Sequence, residues 1–152
     1  MKNLFLFFFL SLLMLSCKNE QVFSIEKKPE GGHWLHSDIL TGTFEITDSS
    51  GPYDILFEIE HKENYAYQNI YLKISDDYSG KMSSDTVNID LMDQYGVWFG
   101  SGFSGSKTFR IPLRKNLRFY KNKSYNFNIQ QFTRNDTLQG IERIKLYVLR
   151  KK

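Results

Sequence analysis

Two hydrophobic patterns divide the chain. Residues 4–15 are apolar almost without a break, whereas from about Asp38 onward apolar and polar positions alternate. Ile55, Phe57 and Ile59 are interleaved with Leu56, Glu58 and Glu60, and Ile70, Leu72 and Ile74 with Tyr71, Lys73 and Ser75. The same period of two links Val87, Ile89 and Leu91, then Tyr125, Phe127 and Ile129, then Ile144, Leu146 and Val148. Phe44 and Ile46 around Glu45, and Phe109 and Ile111 around Arg110, add two shorter runs. Successive side chains of a strand point to opposite faces, so each run predicts a strand with one face buried. Turn-forming stretches such as Asp48-Ser49-Ser50-Gly51-Pro52, Asp76-Asp77-Tyr78-Ser79-Gly80 and Lys121-Asn122-Lys123 separate them. No sustained helical stripe follows the N-terminal run. Seven or eight short strands in roughly 115 residues predict one all-β domain over 38–152, an antiparallel β-sandwich of Greek-key or jelly-roll type. The pattern leaves strand order open.

The N-terminal run has a different logic. Lys2 precedes about a dozen mostly apolar residues, too few for the roughly 20 of a membrane-spanning helix and suited to the core of a signal peptide. Met14-Leu15-Ser16-Cys17 resembles a bacterial lipobox, with Met14 in place of the usual Leu or Val. The resemblance implies removal of residues 1–16 and lipidation of Cys17 by a diacylglyceryl thioether and an amide-linked fatty acid. Cys17 is the only cysteine in the chain. At about 0.8 kcal/mol per buried methylene, one acyl chain holds a protein marginally and several hold it firmly. Residues 17–37, charged and containing Pro29, read as the lipidated cysteine followed by a tether. Lys18 is not the aspartate of an inner-membrane retention signal, which favours the outer membrane; the periplasmic and outer faces both stay open.

Composition narrows the function. Twenty basic residues against 17 acidic ones leave a net charge of +3, too small and scattered for a nucleic-acid binder. A single cysteine leaves no intramolecular disulfide and no cysteine-based zinc site. His33, His36 and Asp38 lie close in sequence but lack further clustered ligands, so no metal site is expected. There is no G-x-S-x-G elbow and no histidine after His61. Glu58 and Glu60 share the outward phase of one strand, where charge is ordinary. No catalytic residue and no cofactor is predicted, and the chain does not read as an enzyme.

The stretch from Asp93 to Ser106 stands out in a chain whose other connections are short. Gly100-Ser101-Gly102-Phe103-Ser104-Gly105 matches the dinucleotide spacing G-x-G-x-x-G, but a strand and not a helix follows it, and no acidic residue lies between Asp93 and Asp136. Its glycines instead permit positive φ angles or close backbone approach. Tyr95, Gly96, Trp98, Phe99, Gly100, Gly102 and Phe103 form a candidate interaction loop. Its aromatic residues suit either a platform for a sugar or a protein partner, or a cover for the end of the core. Asp85-Thr86-Val87 and Asp136-Thr137-Leu138 resemble an O-glycosylation triplet of exported Bacteroidetes proteins, and also serve as ordinary turn and strand-start residues.

Several segments together resemble one family. They are Gly32-His33-Trp34 with Asp38, Phe44-Glu45-Ile46-Thr47-Asp48, Pro52-Tyr53, and Asn64-Tyr65-Ala66-Tyr67-Gln68-Asn69-Ile70-Tyr71-Leu72. Asp85-Thr86, Gly96-Val97-Trp98-Phe99-Gly100-Ser101-Gly102 and Gln131-Phe132-Thr133-Arg134 with Leu138-Gln139-Gly140-Ile141 continue the pattern. Over about residues 13 to 150 the chain resembles the gliding-motility lipoprotein GldH family of Bacteroidetes. Phe132 and Thr133 stand where that family suggests Ala and Met, and Lys145 where it suggests Gly. The resemblance implies a lipid-anchored, non-enzymatic part of the gliding machinery, tied to type IX secretion and partnered by other envelope proteins. A lipid-anchored carbohydrate-binding module on the same sandwich is the alternative.

Overall fold

The computed structural model describes residues 19–151, so the signal segment and Cys17 lie outside the described residues. Ten strands run through it: β1 (Glu20–Lys27), β2 (His33–Leu35), β3 (Leu40–Ile46), β4 (Tyr53–Lys62), β5 (Asn69–Asp76), β6 (Ser83–Asp90), β7 (Ser106–Leu117), β8 (Lys123–Gln131), β9 (Thr137–Gln139) and β10 (Ile141–Arg150). One sheet has the order β1-β10-β4-β7, the other β3-β8-β5-β6, and β2 pairs β9 in a small two-stranded sheet. Every pairing is antiparallel. Only β5 and β6 are joined as a simple hairpin; the other principal strands pass from one sheet to the other. That alternation gives the jelly-roll topology.

The alternating residues are those that fill the sandwich. Ile55, Phe57 and Ile59 of β4, Ile70, Leu72 and Ile74 of β5, and Ile144, Leu146 and Val148 of β10 are all buried. Phe44 is a hub, with the rings of Phe23, Tyr78, Phe119, Tyr125 and Phe127 at centroid distances from 5.6 to 6.4 Å. Gly42 faces Phe127 across the β3–β8 pair, where an added Cβ would stand 2.6 Å from the ring. The core therefore needs glycine there, to seat the aromatic ring.

The stretch read as a tether is largely folded. β1 pairs with β10 from Glu20 to Lys27, and Phe23 lies 5.7 Å from Phe44. Trp34 of β2 is 0% exposed, and its Nε1 donates to Asp38 O at 2.7 Å. The pattern hid β1 because it is an edge strand, broken by a bulge between Gln21 and Phe23. Its charged residues do not mark a solvated linker: Glu20 pairs with Arg150 and Glu26 with Arg143 and Lys145. Charged residues on edge strands also guard against unwanted pairing.

Candidate functional site

The two ends of the sandwich differ. At one end β1 starts, β10 finishes, and Glu20, Arg150, Tyr53 and Leu117 form a row across the first sheet. At the other end lie the connections 63–68, 91–105 and 132–140, here called the loop end. A ten-residue strand such as β4 separates the ends by about 33 Å at 3.3 Å per residue.

The candidate loop is an ordered structure at the loop end. Asp93 organises its first turn: Oδ1 accepts from the backbone N–H of Tyr95 and of Val97, each at 2.9 Å. Asp93 N–H donates to Val97 O and Phe99 N–H to Leu91 O, closing a small hairpin with Gly96 at φ +83°. The second half lies on β7, where Ser101 and Thr108 exchange both backbone hydrogen bonds. A Cβ on Gly100 would run into Thr108 O and one on Gly102 into Ser106 O, both well inside van der Waals contact. Close backbone approach thus explains both glycines.

Trp98 points inward and is half-buried, packed against the core. Its Nε1 donates to Glu63 O at 3.1 Å, and its ring meets that of His61 edge-on at 4.6 Å. Tyr95 and Phe103 point outward, 82% and 92% exposed. Phe99 is only marginally exposed and packs on Phe109 at 5.3 Å. The loop thus joins the two expectations for its aromatics: Trp98 anchors it, while Tyr95 and Phe103 stand in solvent.

His61 was invisible as a site residue. It is wholly buried on the inner phase of β4. Its Nδ1 donates to Lys62 O at 2.9 Å, which leaves Nε2 buried without a partner. Burial pushes its pKa below the ordinary histidine value, keeping the ring neutral. The hydroxyl of Tyr65 is also buried without a partner, and its ring lies 5.6 Å from that of His61.

Glu58 departs from the expected solvated face. It points outward from β4 but is only 5% exposed, because Arg110, Arg143 and Tyr147 cover it. Arg110 donates to Oε2 through Nε at 2.9 Å and Nη2 at 2.6 Å, Tyr147 O–H donates to Oε1 at 3.1 Å, and Arg143 Nη1 lies 3.1 Å from Oε1. Both carboxylate oxygens are engaged. Glu60 is held by Arg143 at 2.8 Å. Asp38 is paired with Lys27, His33 is exposed on β2, and the described residues contain no group of three or more potential metal-ligating side chains.

A groove of about 860 Å³ was also not anticipated. It lies between the outer face of β5 and the segment after β8, with Tyr67, Tyr71, Phe132, Asn69, Arg134 and Asn135 along it. Asn135 Nδ2 donates to the Tyr67 hydroxyl at 2.7 Å, tying its rim. Tyr71 occupies the outward phase of β5, between the buried Ile70 and Leu72. An aromatic residue in that phase is the signal the sequence offered. Thr86 lies exposed on edge strand β6, whereas Thr137 in β9 is half-buried.

These features define a single jelly-roll β-sandwich with an organised aromatic loop at one end. The profile of the family described as GldH lipoprotein matches residues 21–148, and the chain belongs to that family. It is 31% identical over 147 residues to the gliding motility lipoprotein GldH homolog of Christiangramia forsetii, covering 94% of this chain and 88% of that protein. To gliding motility lipoprotein GldH of Flavobacterium johnsoniae it is 25% identical over 146 residues, covering 95% of this chain and 90% of that one. Among solved structures, a carbohydrate-binding module specific for non-crystalline cellulose overlays with a TM-score of 0.44 at 8% identity, covering 85% of this chain and 73% of that one.

Proposed function

We propose that this gliding motility lipoprotein is a non-catalytic docking part of the gliding machinery, held in the outer membrane through lipid on Cys17. On this reading it binds other envelope proteins through the loop end. The observation that carries the reading is the outward placement of Tyr95 and Phe103, 82% and 92% exposed, on a backbone fixed by Asp93 and by close contact with β7. Large exposed aromatic residues on a preorganised loop supply contact area with little ordering cost on association. Glu58, whose carboxylate is occupied on both oxygens, is assigned to holding strands together and not to chemistry.

The test is complementation of a deletion strain of a gliding host. Tyr95→Ala with Phe103→Ala should give a folded, anchored protein that fails to restore colony spreading and secretion of adhesins. Full restoration would rule out the loop as the docking surface.

The groove favours a second reading, glycan binding, because Tyr67, Tyr71 and Phe132 combine aromatic faces with the amides of Asn69 and Asn135. Retained spreading together with glycan binding that Tyr71→Ala abolishes would support it over the first.

A further inference from the structure

The end of the sandwich opposite the loop carries its own chemistry. Residues 114–123 read Arg-Lys-Asn-Leu-Arg-Phe-Tyr-Lys-Asn-Lys, five basic residues in ten positions and no acidic one. They span the end of β7, the start of β8 and the turn between them. Lys115, Arg118 and Lys121 are exposed, and Tyr120 is 74% exposed beside them. Lys81 and Met82, the latter 53% exposed, sit in the β5–β6 turn at the same end.

Most acidic groups of this end already have partners; Glu45, exposed near the end of β3, is the exception among the described residues. Glu20 and Asp48 are held by Arg150, Asp54 by Lys151, and Asp76 by Arg114. Asp77 accepts from the backbone and the side chain of Asn126, at 2.8 and 2.7 Å. Among the described residues, no carboxylate lies within ion-pair distance of Lys81, Lys115, Arg118, Lys121 or Lys123. Set against Glu45 and Asp77, neither of which has a cation partner, these five unpaired cations still leave a positive surplus at the tip.

The chain enters the fold here as well. Asn19 immediately precedes β1, whose Glu20 pairs with Arg150. Cys17 stands two positions before Asn19, and two residues reach at most about 7 Å. With β1 folded, almost no tether separates the lipid attachment point from the basic end.

We infer that the β7–β8 turn is a membrane-contact surface that rests on anionic phospholipid headgroups beside the lipid anchor. It holds the sandwich upright, with the Tyr95 and Phe103 loop about 33 Å from the bilayer surface. Lys115, Arg118 and Lys121 meet phosphate, and Tyr120 takes the interfacial depth that suits an aromatic ring with a polar tip. Each such cation strengthens contact roughly fivefold at low salt. That is weak alone, but the anchor makes the contact intramolecular and raises its effective concentration. This inference rests on the lipidation of Cys17 proposed above.

The experiment uses the full lipidated protein, extracted in detergent and reconstituted into vesicles. A Tyr120→Cys variant, whose new thiol is the sole free one once Cys17 carries lipid, takes an environment-sensitive fluorophore. A Tyr95→Cys variant serves as the distal comparison. In vesicles containing phosphatidylglycerol, the probe at 120 should be blue-shifted and quenched by headgroup nitroxides, and the probe at 95 should not. Neutralising Lys115, Arg118 and Lys121 together to Gln should weaken the contact by roughly a hundredfold. High salt should do the same to the protein with those residues intact, so the result does not hang on the triple variant folding. Failure to float with the vesicles would overturn the anchor and this inference with it. Flotation without quenching at 120, or with quenching indifferent to salt and to phosphatidylcholine substitution, would leave the anchor standing and overturn the contact surface.

Discussion

Trp98→Ala separates the two ways an aromatic loop can be built. The side chain is half-buried against the core, so truncation returns about 100 Å² of apolar surface to water, worth roughly 2.5 kcal/mol. The lost Nε1 bond to Glu63 O adds little, because Glu63 is exposed and its carbonyl can turn to water. The edge contact to His61, at 4.6 Å, adds about 0.5–1 kcal/mol and leaves the unpartnered Nε2 less well enclosed. The sum is about 3 kcal/mol, which in a domain of this size lowers Tm by roughly 9–15 °C. Thermal unfolding of the soluble domain followed by circular dichroism reads it directly. Tyr95→Ala and Phe103→Ala should each stay within about 0.5 kcal/mol of the unaltered domain, since nothing packs over them. A Trp98→Ala change of less than about 2 °C would refute the anchoring role and make Trp98 a surface residue like its neighbours.

Glu58, His61 and Cys17 each give a further measurable outcome. Glu58→Ala should cost about 2–3 kcal/mol in urea unfolding, at or just below the roughly 3–5 kcal/mol of breaking a fully buried pair because Arg110 remains half in water; Glu60→Ala should cost less than about 1 kcal/mol. Burial lowers the folded-state pKa of His61 beneath its unfolded value of 6.5, so its contribution is intact above pH 6.5 and is lost as pH falls toward the folded value. The unfolding free energy should therefore fall on acidification from neutrality with a slope of at most about 1.4 kcal/mol per pH unit from this group, read by urea unfolding at a series of pH values, and His61→Phe should flatten that slope; Asp76, whose pKa burial raises, acts with the opposite sign at lower pH. Cys17→Ser should leave the fold intact and abolish incorporation of a palmitate analogue. A labelled Ser variant that stays in the membrane pellet would contradict the lipobox reading.

The period of two was enough to find the strands that build the middle of the sandwich, since β4, β5, β8 and β10 each bury one face against the core. It failed at the margins, for physical reasons. β1 has only Phe23 and Ile25 facing inward and a bulge between Gln21 and Phe23, too short a run to show a period. β2 and β9 are three residues each, held by Trp34 and Leu138, and no periodicity can be seen in three positions. Strand order came only with the structure, because jelly-roll neighbours are distant in sequence. The glycine loop was legible because Gly100 and Gly102 are demanded by the backbone of β7. The direction each aromatic faces was not, since it depends on the hairpin that Asp93 closes. Glu58 misled because burial of an outward carboxylate comes from long arginine side chains on two neighbouring strands, β7 and β10.

The proposed arrangement is polar, with lipid at one end of the sandwich and protein partners at the other. Site-specific photocrosslinking in living cells of a gliding host tests it, with benzoylphenylalanine placed in turn at Phe103 and at Tyr120. Position 103 should give a discrete protein adduct that disappears when the loop is disabled by Tyr95→Ala, and position 120 should give no protein adduct. Protein adducts from position 120 with none from 103 would reverse that polarity.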